Sequence, residues 1–360
     1  MKILFYINSI YRGGAERVMV NLANMFAQKY EVVFVTLKEQ PNEYELSGVK
    51  RYSLNMRGKK HSLDFLRSAQ IISHLREILK NEEPDVIITF IELDSLVMYI
   101  SKLFLKIPQI VSIIYNPYVG LSQTHKKIIY KSLYSHVDGC IFQTKNAKTF
   151  FSLKIQKKST IINNLIDARL FDIITTDKRK DIICVGRLTS GKSWEIAIKA
   201  FSLVSDEVED QLIIYGEGEE RTRLNEYIET LGLTERVILA GITTDTAKAI
   251  ANAKLFLFSS KHEGLPNALI EALILGTPCV STKFSGGSAE MLIESGVNGI
   301  LVSIGDSEAM AKAMLKILGD CDYAALLGQN AKNLAKEMFH PSHVFTQWEK
   351  YVLSCVERNK

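Results

Sequence analysis

The chain has 360 residues, 47% hydrophobic and 23% charged, with a formal net charge of +4. This is the make-up of a globular protein long enough for two domains, and it excludes disordered and collagen-like chains. There is no low-complexity tract or solenoid-length repeat, and no apolar run reaches the roughly 18 residues that span a bilayer.

The first segment, Met1 to Ile7, is too short for a signal peptide and reads as a strand. Short apolar runs then alternate with helical patterns. In the first half the runs Ile3–Ile7, Val32–Leu37, Val86–Phe90, Ile110–Ile114, Gly139–Gln143 and Thr160–Ile162 predict strands. Between them, Ala15–Lys29, Leu63–Asn81, Ser95–Leu105 and Thr124–Ser135 have apolar residues at three-and-four spacing and predict helices. A polar seam falls at Asp167–Lys180. The alternation restarts with strands at Ile182–Val185, Leu212–Tyr215, Val237–Leu239, Leu255–Phe258, Pro278–Ser281 and Gly299–Val302. Helices are predicted at Trp194–Val204, Arg221–Leu231, Thr246–Ala251, Ala268–Leu275, Ser288–Glu294, Ala309–Leu318 and Tyr323–Phe339. Pro341 opens a last helix carrying Phe345, Trp348 and Val352. Strand–helix alternation of this kind makes parallel sheets covered on both faces. The pattern therefore predicts an α/β chain of two doubly wound, Rossmann-like domains, 1–168 and 169–340, with ligand expected in a cleft between them.

Charge is uneven. Residues 1–168 hold 23 Lys and Arg against 14 Asp and Glu, and residues 169–360 hold 21 against 26. A basic first half points to membrane lipid or a phosphate-bearing acceptor, with an unused asymmetry as the alternative. Lys126, Lys127 and Lys131, interleaved with Ile128, Ile129, Tyr130 and Leu133, read as a membrane-facing helix or as a solvated helix face. The cysteines (140, 184, 279, 321 and 355) lack metal-like spacing and read as free thiols of a reducing cytoplasm.

The segment from His262 to Ser281 carries the densest chemistry. Glu263 and Glu271 bracket Gly264, Leu265, Pro266 and Asn267, between a predicted strand and an apolar helix. Pro266 suits a first helical turn, and the amides of 265–268 then form an anion site. Carboxylates beside an anion site make sense when they hold something else, such as sugar hydroxyls. A phosphorylated, polyhydroxylated ligand fits both.

Three glycine loops precede this segment in the chain. Gly13-Gly14 separates the first strand and helix without the Gly-x-Gly-x-x-Gly of dinucleotide sites, and is either a ligand approach or a plain turn. Gly186 to Ser193 matches the P-loop pattern in full. A triphosphatase also needs an acidic residue at the end of a nearby strand to hold magnesium, and the later strands end in Gly216, Ser259 and Thr282. What survives is a glycine loop flanked by Arg187 and Lys192, two cations suited to a diphosphate. Tyr215 to Glu220 is a third loop that permits close approach or simply turns.

Together these segments resemble the retaining glycosyltransferases of family 4, of GT-B architecture, over nearly the whole chain and in order. Gly13-Gly14-Ala15-Glu16 resembles the family's first loop, and Asn164 to Asp167 its interdomain turn, with Leu165 in place of Pro. Gly186-Arg187-Leu188 with Lys192 resembles its diphosphate clamp, and Glu263 and Glu271 its Glu-x7-Glu pair. Gly276-Thr277-Pro278 and Gly286-Gly287 complete the signature, with Ser288 where Pro is frequent.

The resemblance implies roles. Arg187 and Lys192 would bind the pyrophosphate of a UDP-sugar, Glu271 the ribose, and Glu263 the transferred sugar. The amides around Gly264, Leu265, Pro266 and Asn267 would stabilise the leaving diphosphate, and Gly14 would pack on it from the other domain. The first domain, completed by a helix at 341–360, would hold the acceptor. Family members often have a His after the strand matched by Ile110–Ile114; here the sequence reads Tyr115-Asn116, with His125 further on. The implied activity is metal-independent transfer, with retention, of a hexose or N-acetylhexosamine to a lipid-linked saccharide. Such enzymes build bacterial capsule, O-antigen and lipid-linked glycans, and act in the cytoplasm at the anionic inner face of the membrane. No cofactor, metal or nucleic acid is implied. The alternatives are a catalytically impaired UDP-sugar-binding protein and a P-loop nucleotide hydrolase.

Overall fold

The computed structural model describes residues 1–11, 13–56, 65–173, 179–243 and 245–359. Positions 63–64 of the predicted helix Leu63–Asn81 and 174–178 of the polar seam lie outside them. The chain divides into two units, Met1–Leu165 with Pro341–Lys360, and Ile166–His340. The cut falls three residues ahead of the boundary read from the sequence because Ile166 and Leu170 pack into the second unit's core.

The first unit holds a seven-stranded parallel sheet: β1 (Lys2–Ile7), β2 (Glu31–Thr36), β3 (Lys50–Ser53), β4 (Val86–Thr89), β5 (Gln109–Ile113), β6 (Gly139–Phe142) and β7 (Ser159–Ile161). Their order is β3-β2-β1-β4-β5-β6-β7. The second holds six: β8 (Ile182–Val185), β9 (Leu212–Tyr215), β10 (Val237–Gly241), β11 (Leu255–Phe258), β12 (Cys279–Thr282) and β13 (Ile300–Val302), ordered β10-β9-β8-β11-β12-β13. Each order runs outward one way and then returns to the first strand's other side, which is the doubly wound Rossmann arrangement.

Side-chain alternation explains why the strands are continuously apolar. Ile3, Phe5 and Ile7 of β1 join one core, while Leu4 and Tyr6 join another on the opposite face. In the second unit, Ile182 and Cys184 face one core and Ile183 the other. With helices on both faces, each alternate residue needs an apolar side chain. Cys140, Cys184, Cys279 and Cys355 are buried free thiols; Cys321, at the start of the helix Cys321–Phe339, is exposed.

The last helix, Pro341–Glu357, belongs to the first unit. Trp348 stacks on Phe90 with centroids 5.9 Å apart, and Phe345 meets Phe26 edge-on at 4.9 Å. The Tyr351 hydroxyl accepts from the Cys140 N–H (3.0 Å) and donates to the Lys158 carbonyl. Glu349 accepts from Lys29 Nζ (3.2 Å) and the Tyr30 hydroxyl (2.9 Å). The helix thus fills one face of the sheet, and its polar groups tie it to three other elements.

At the amino ends of β1 and β3, one buried carboxylate collects three donors. Glu82 accepts from Lys50 Nζ (2.6 Å), the Tyr52 hydroxyl (2.5 Å) and Lys2 Nζ (3.2 Å). Lys50 first, then Tyr52 and Lys2, hold its carboxyl down to about 2, against some opposition from burial. A depressed folded-state pKa contributes stability that is present above the unfolded value of 4.5 and is lost as pH falls from there through about 2. Glu82→Gln is expected to cost ~2 kcal/mol at pH 7, and the gap from the parent should close near pH 2, read by denaturant melts across pH.

Candidate active site

Strand order reverses between β8 and β11, so the loops leaving their carboxyl ends stand at the sheet's switch point, the usual place for a ligand in such sheets. The loop after β8 runs from Gly186 to Ser193, and the loop after β11 from Ser259 to Pro266. These are the loops on which sequence reasoning placed Arg187, Lys192 and Glu263.

The β8 loop is shaped by a tryptophan. Trp194 is 1% exposed at the start of the helix Trp194–Ser202, and its indole N–H donates to the Arg187 carbonyl at 3.0 Å. Gly186 lies under that ring and under the Lys192 stem, so a side chain there would crowd both. Ser190–Lys192 form one 3-10 turn, and Ser193 enters the helix at φ 51°. Gly216, at φ 152°, passes so close to Gly186 that a Cβ would overlap its carbonyl; Gly218 stands likewise against Leu188. These two glycines are therefore packing requirements of the clamp loop. Arg187 is exposed and Lys192 half-buried.

Lys192 Nζ lies 2.6 Å from Glu263 Oε1 and 5.0 Å from the Phe258 ring centroid. The two loops are joined at the backbone as well. Lys261 N–H donates to the Gly191 carbonyl (2.9 Å), and the Ser259 hydroxyl to the Lys192 carbonyl (2.8 Å). This is not how a P-loop is used: the lysine is paired with a carboxylate, and the strands flanking β8 lead into Gly216 and Ser259 rather than an acid.

The segment 285–288 braces Glu263 from the other side. Glu263 N–H donates to the Ser285 carbonyl (3.1 Å), His262 Nδ1 lies 2.7 Å from the Ser285 hydroxyl, and the Ser288 hydroxyl donates to the Gly264 carbonyl. Ser288 is where Pro is frequent in the resembling family, so here a hydroxyl takes up a carbonyl that Pro would leave to others. Gly286 and Gly287, at φ 131° and 80°, give the backbone the turn that this bracing needs.

Pro266 differs from expectation. The helix is Asn267–Ile274, and Pro266 is its N-cap, with ψ 111°. Its ψ is extended, so it caps the helix from outside instead of sitting in the first turn; the helix opens at Asn267, one residue before the predicted Ala268, and the Pro266 carbonyl accepts from Ile270 N–H at 3.1 Å. Leu265 and Pro266 are buried, and Gly264 and Asn267 half-buried. Glu271 is 2% exposed in the second turn. After this helix, Gly276 (φ 64°) meets Gly328 so closely that a Cβ on Gly328 would overlap the Gly276 carbonyl, and Thr277 donates to the Ile250 carbonyl at 2.8 Å. The Gly-Thr-Pro part of the motif is therefore a helix-packing device.

In the first unit, Gly14 is exposed at the start of the helix Gly14–Phe26, and the Glu16 carboxylate folds back over Gly13. Asn164 accepts from Gln143 Nε2, and Asp167 caps a short turn by accepting from Arg169 N–H at 3.0 Å. Tyr115 and Asn116 follow β5, in the stretch where members of the resembling family often have a His; Tyr115 lies at the carboxyl end of that strand. Its hydroxyl is 3.3 Å from that of Tyr134, and burial followed by Glu92 pushes it above the usual phenol range. Asn116 caps the short helix Pro117–Gly120, accepting from Tyr118 N–H at 3.1 Å. His125 is exposed in the first turn of the helix Thr124–His136.

Sequence reasoning missed Asp94. It is 5% exposed in the first turn of the helix Glu92–Ser101, and its Oδ2 accepts from Asn8 N–H at 2.9 Å, tying the β1 exit to the β4 exit. Burial pushes its carboxyl to about 7, with Glu16 and Glu92 adding to the effect. The signal was an acid followed directly by Ser95 on a helix face that packs inward.

Two doubly wound sheets, with a cation–carboxylate pair at the second sheet's reversal, place the chain among proteins of two Rossmann-like units whose ligands bind at such switch points. The comparisons narrow this. A model described as Glycosyltransferase Family 4 matches residues 12–170, and one described as Glycosyl transferases group 1 matches residues 179–320. The chain is a glycosyltransferase of this family 4 and group 1 type, with GT-B architecture. It is 26% identical to a Campylobacter jejuni protein named GalNAc-alpha-(1->4)-GalNAc-alpha-(1->3)-diNAcBac-PP-undecaprenol alpha-1,4-N-acetyl-D-galactosaminyltransferase, over 98% of each chain. A second C. jejuni enzyme, an N-acetylgalactosamine-N,N'-diacetylbacillosaminyl-diphospho-undecaprenol 4-alpha-N-acetylgalactosaminyltransferase, is 27% identical over 93% of this chain and 95% of its own. In fold, the chain is similar to Anabaena HepE in complex with UDP and glucose, with TM-score 0.82, 21% identity, and 98% and 100% of the two chains covered.

Proposed function

We propose that the enzyme transfers a hexose or N-acetylhexosamine from a UDP-sugar to a lipid-linked saccharide, retaining the anomeric configuration. The observation that carries this reading is the Lys192–Glu263 pair at the β8–β11 reversal. A cation for a diphosphate and a carboxylate for sugar hydroxyls stand side by side, beside a helix start. The named activities of the two C. jejuni relatives support the lipid-linked acceptor, and the UDP complex of HepE supports the donor.

In this reading the C1–oxygen bond to the β-phosphate breaks as negative charge builds on the departing diphosphate. Arg187, Lys192 and the first-turn amides after Pro266 stabilise that charge. The acceptor oxygen bonds to C1 on the face the phosphate leaves, and its proton passes to a phosphate oxygen. Glu263 accepts hydrogen bonds from the sugar, and Glu271 from the ribose. Arg187 and Lys192 supply positive charge of the kind a divalent ion would bring.

The first unit would take the acceptor, at the cytoplasmic face of the membrane. Among the described residues no helix is long and apolar enough to cross a membrane. Ile128 and Ile129, 65% and 46% exposed, stand beside exposed Lys126 and Lys127, while Leu133 turns inward and Lys131 lies against the Phe150 ring. That face suits an anionic lipid surface.

Three outcomes are expected. In a UDP-release assay over a panel of UDP-sugars with lipid-linked saccharide as acceptor, one donor should turn over, and EDTA should not stop it; ATP hydrolysis without UDP-sugar use would refute the reading. Glu271→Ala should weaken UDP binding about tenfold, whereas Glu263→Ala should lower transfer roughly a hundredfold without weakening UDP binding; equal loss of UDP affinity in both would refute the division of roles. The chain should sediment with vesicles containing anionic lipid and be released by high salt, and Lys126→Glu with Lys127→Glu should abolish this.

A further inference from the structure

Lys192 is the cation a diphosphate would use, yet the chain supplies its counter-ion. Nζ sits 2.6 Å from Glu263 Oε1, with the two side chains 18% and 17% exposed. A pair so withdrawn from water is coupled more strongly than one on the surface. Both residues are anchored by their backbones. The carbonyls of Gly191 and Lys192 accept from the β11 loop, and Glu263 N–H is held by Ser285. The Phe258 ring, 5.0 Å from Nζ, occupies another side of the ammonium. A diphosphate that reaches Lys192 therefore meets a carboxylate already at contact distance from its cation.

An ammonium has three donors and can serve a carboxylate and a phosphate oxygen together. Two anions then flank one cation and repel each other. For a bare nucleoside diphosphate nothing offsets that repulsion. For a nucleotide sugar, hydroxyls of the sugar can donate to the Glu263 carboxylate and spread its charge. We propose that the Lys192–Glu263 pair is a selectivity device, which disfavours bare nucleoside diphosphate relative to sugar-bearing diphosphate and so promotes release of the spent nucleotide. The proposal rests on the UDP-sugar reading of the same site and adds to it a discrimination between substrate and product.

The test is calorimetric titration of the full chain with UDP and with UDP-N-acetylgalactosamine, for the parent, Glu263→Gln and Glu263→Ala, each checked for an unchanged thermal melt. Both neutral variants should bind UDP about tenfold more tightly than the parent. UDP-N-acetylgalactosamine should bind no more tightly, so the preference for the sugar-bearing ligand falls by about the same factor. If the parent binds UDP and the folded neutral variants bind it no better, the proposal falls and the function stands. If the parent binds neither ligand, both fall together.

Discussion

Lys192 and Glu263 are 71 positions apart and meet at 2.6 Å because β8 and β11 are hydrogen-bonded neighbours. That adjacency is the constraint on which the second unit depends. A strand order that runs β8 to β10 on one side and β11 to β13 on the other leaves two loops leaving the same end of the sheet in different directions. Their carbonyls and amides would be exposed to water singly. Joined, they satisfy one another, and the charged side chains they carry are forced together. Much of the surrounding glycine pattern follows from this closeness. Gly186 makes room for Trp194, and Gly216 and Gly218 make room for the clamp loop itself.

The first unit uses the same arrangement with different chemistry at the reversal. Between β1 and β4 the link is Asn8 N–H to Asp94, a buried acid near neutrality rather than an ion pair. Glu16 and Glu92 lie close enough to raise it further, and Tyr115 and Tyr134 line the neighbouring β5 exit. This end of the unit gathers carboxyls and phenols, where the second unit pairs a carboxylate with a lysine, although the sheets are built alike.

Most of the fold was legible because parallel strands buried on both faces must be apolar throughout, and the edge strands β7, β10 and β13 also carry short apolar runs that stand out. β3 does not, since Lys50-Arg51-Tyr52-Ser53 is an edge strand with one neighbour and little burial. The short helices Lys145–Thr149 and Leu153–Lys157 were also missed, because five residues carry too few apolar positions to show a period. At the candidate site, the P-loop-like pattern pointed to Lys192, and the Gly-Leu-Pro-Asn segment with the family resemblance pointed to Glu263 and Glu271. The pairing of Lys192 with Glu263 was not legible: nothing local to Lys192 points to a residue 71 positions away. The bracing by Ser285 and Ser288 and the tie between Asn8 and Asp94 are long-range for the same reason.

The close crossing of Gly276 and Gly328 bears on how motifs of this kind are interpreted. The helix Cys321–Phe339 has no space for a methyl group at Gly328, Gly276 just past the facing helix is held at φ 64°, and the Arg179 guanidinium donates to the Gly276 carbonyl at 2.9 Å. The demand for glycine there comes from helix geometry and would persist in a chain that had lost Glu263 or Lys192 altogether. Gly276-Thr277-Pro278 therefore reports architecture, and a chain could keep it unchanged while losing both Lys192 and Glu263.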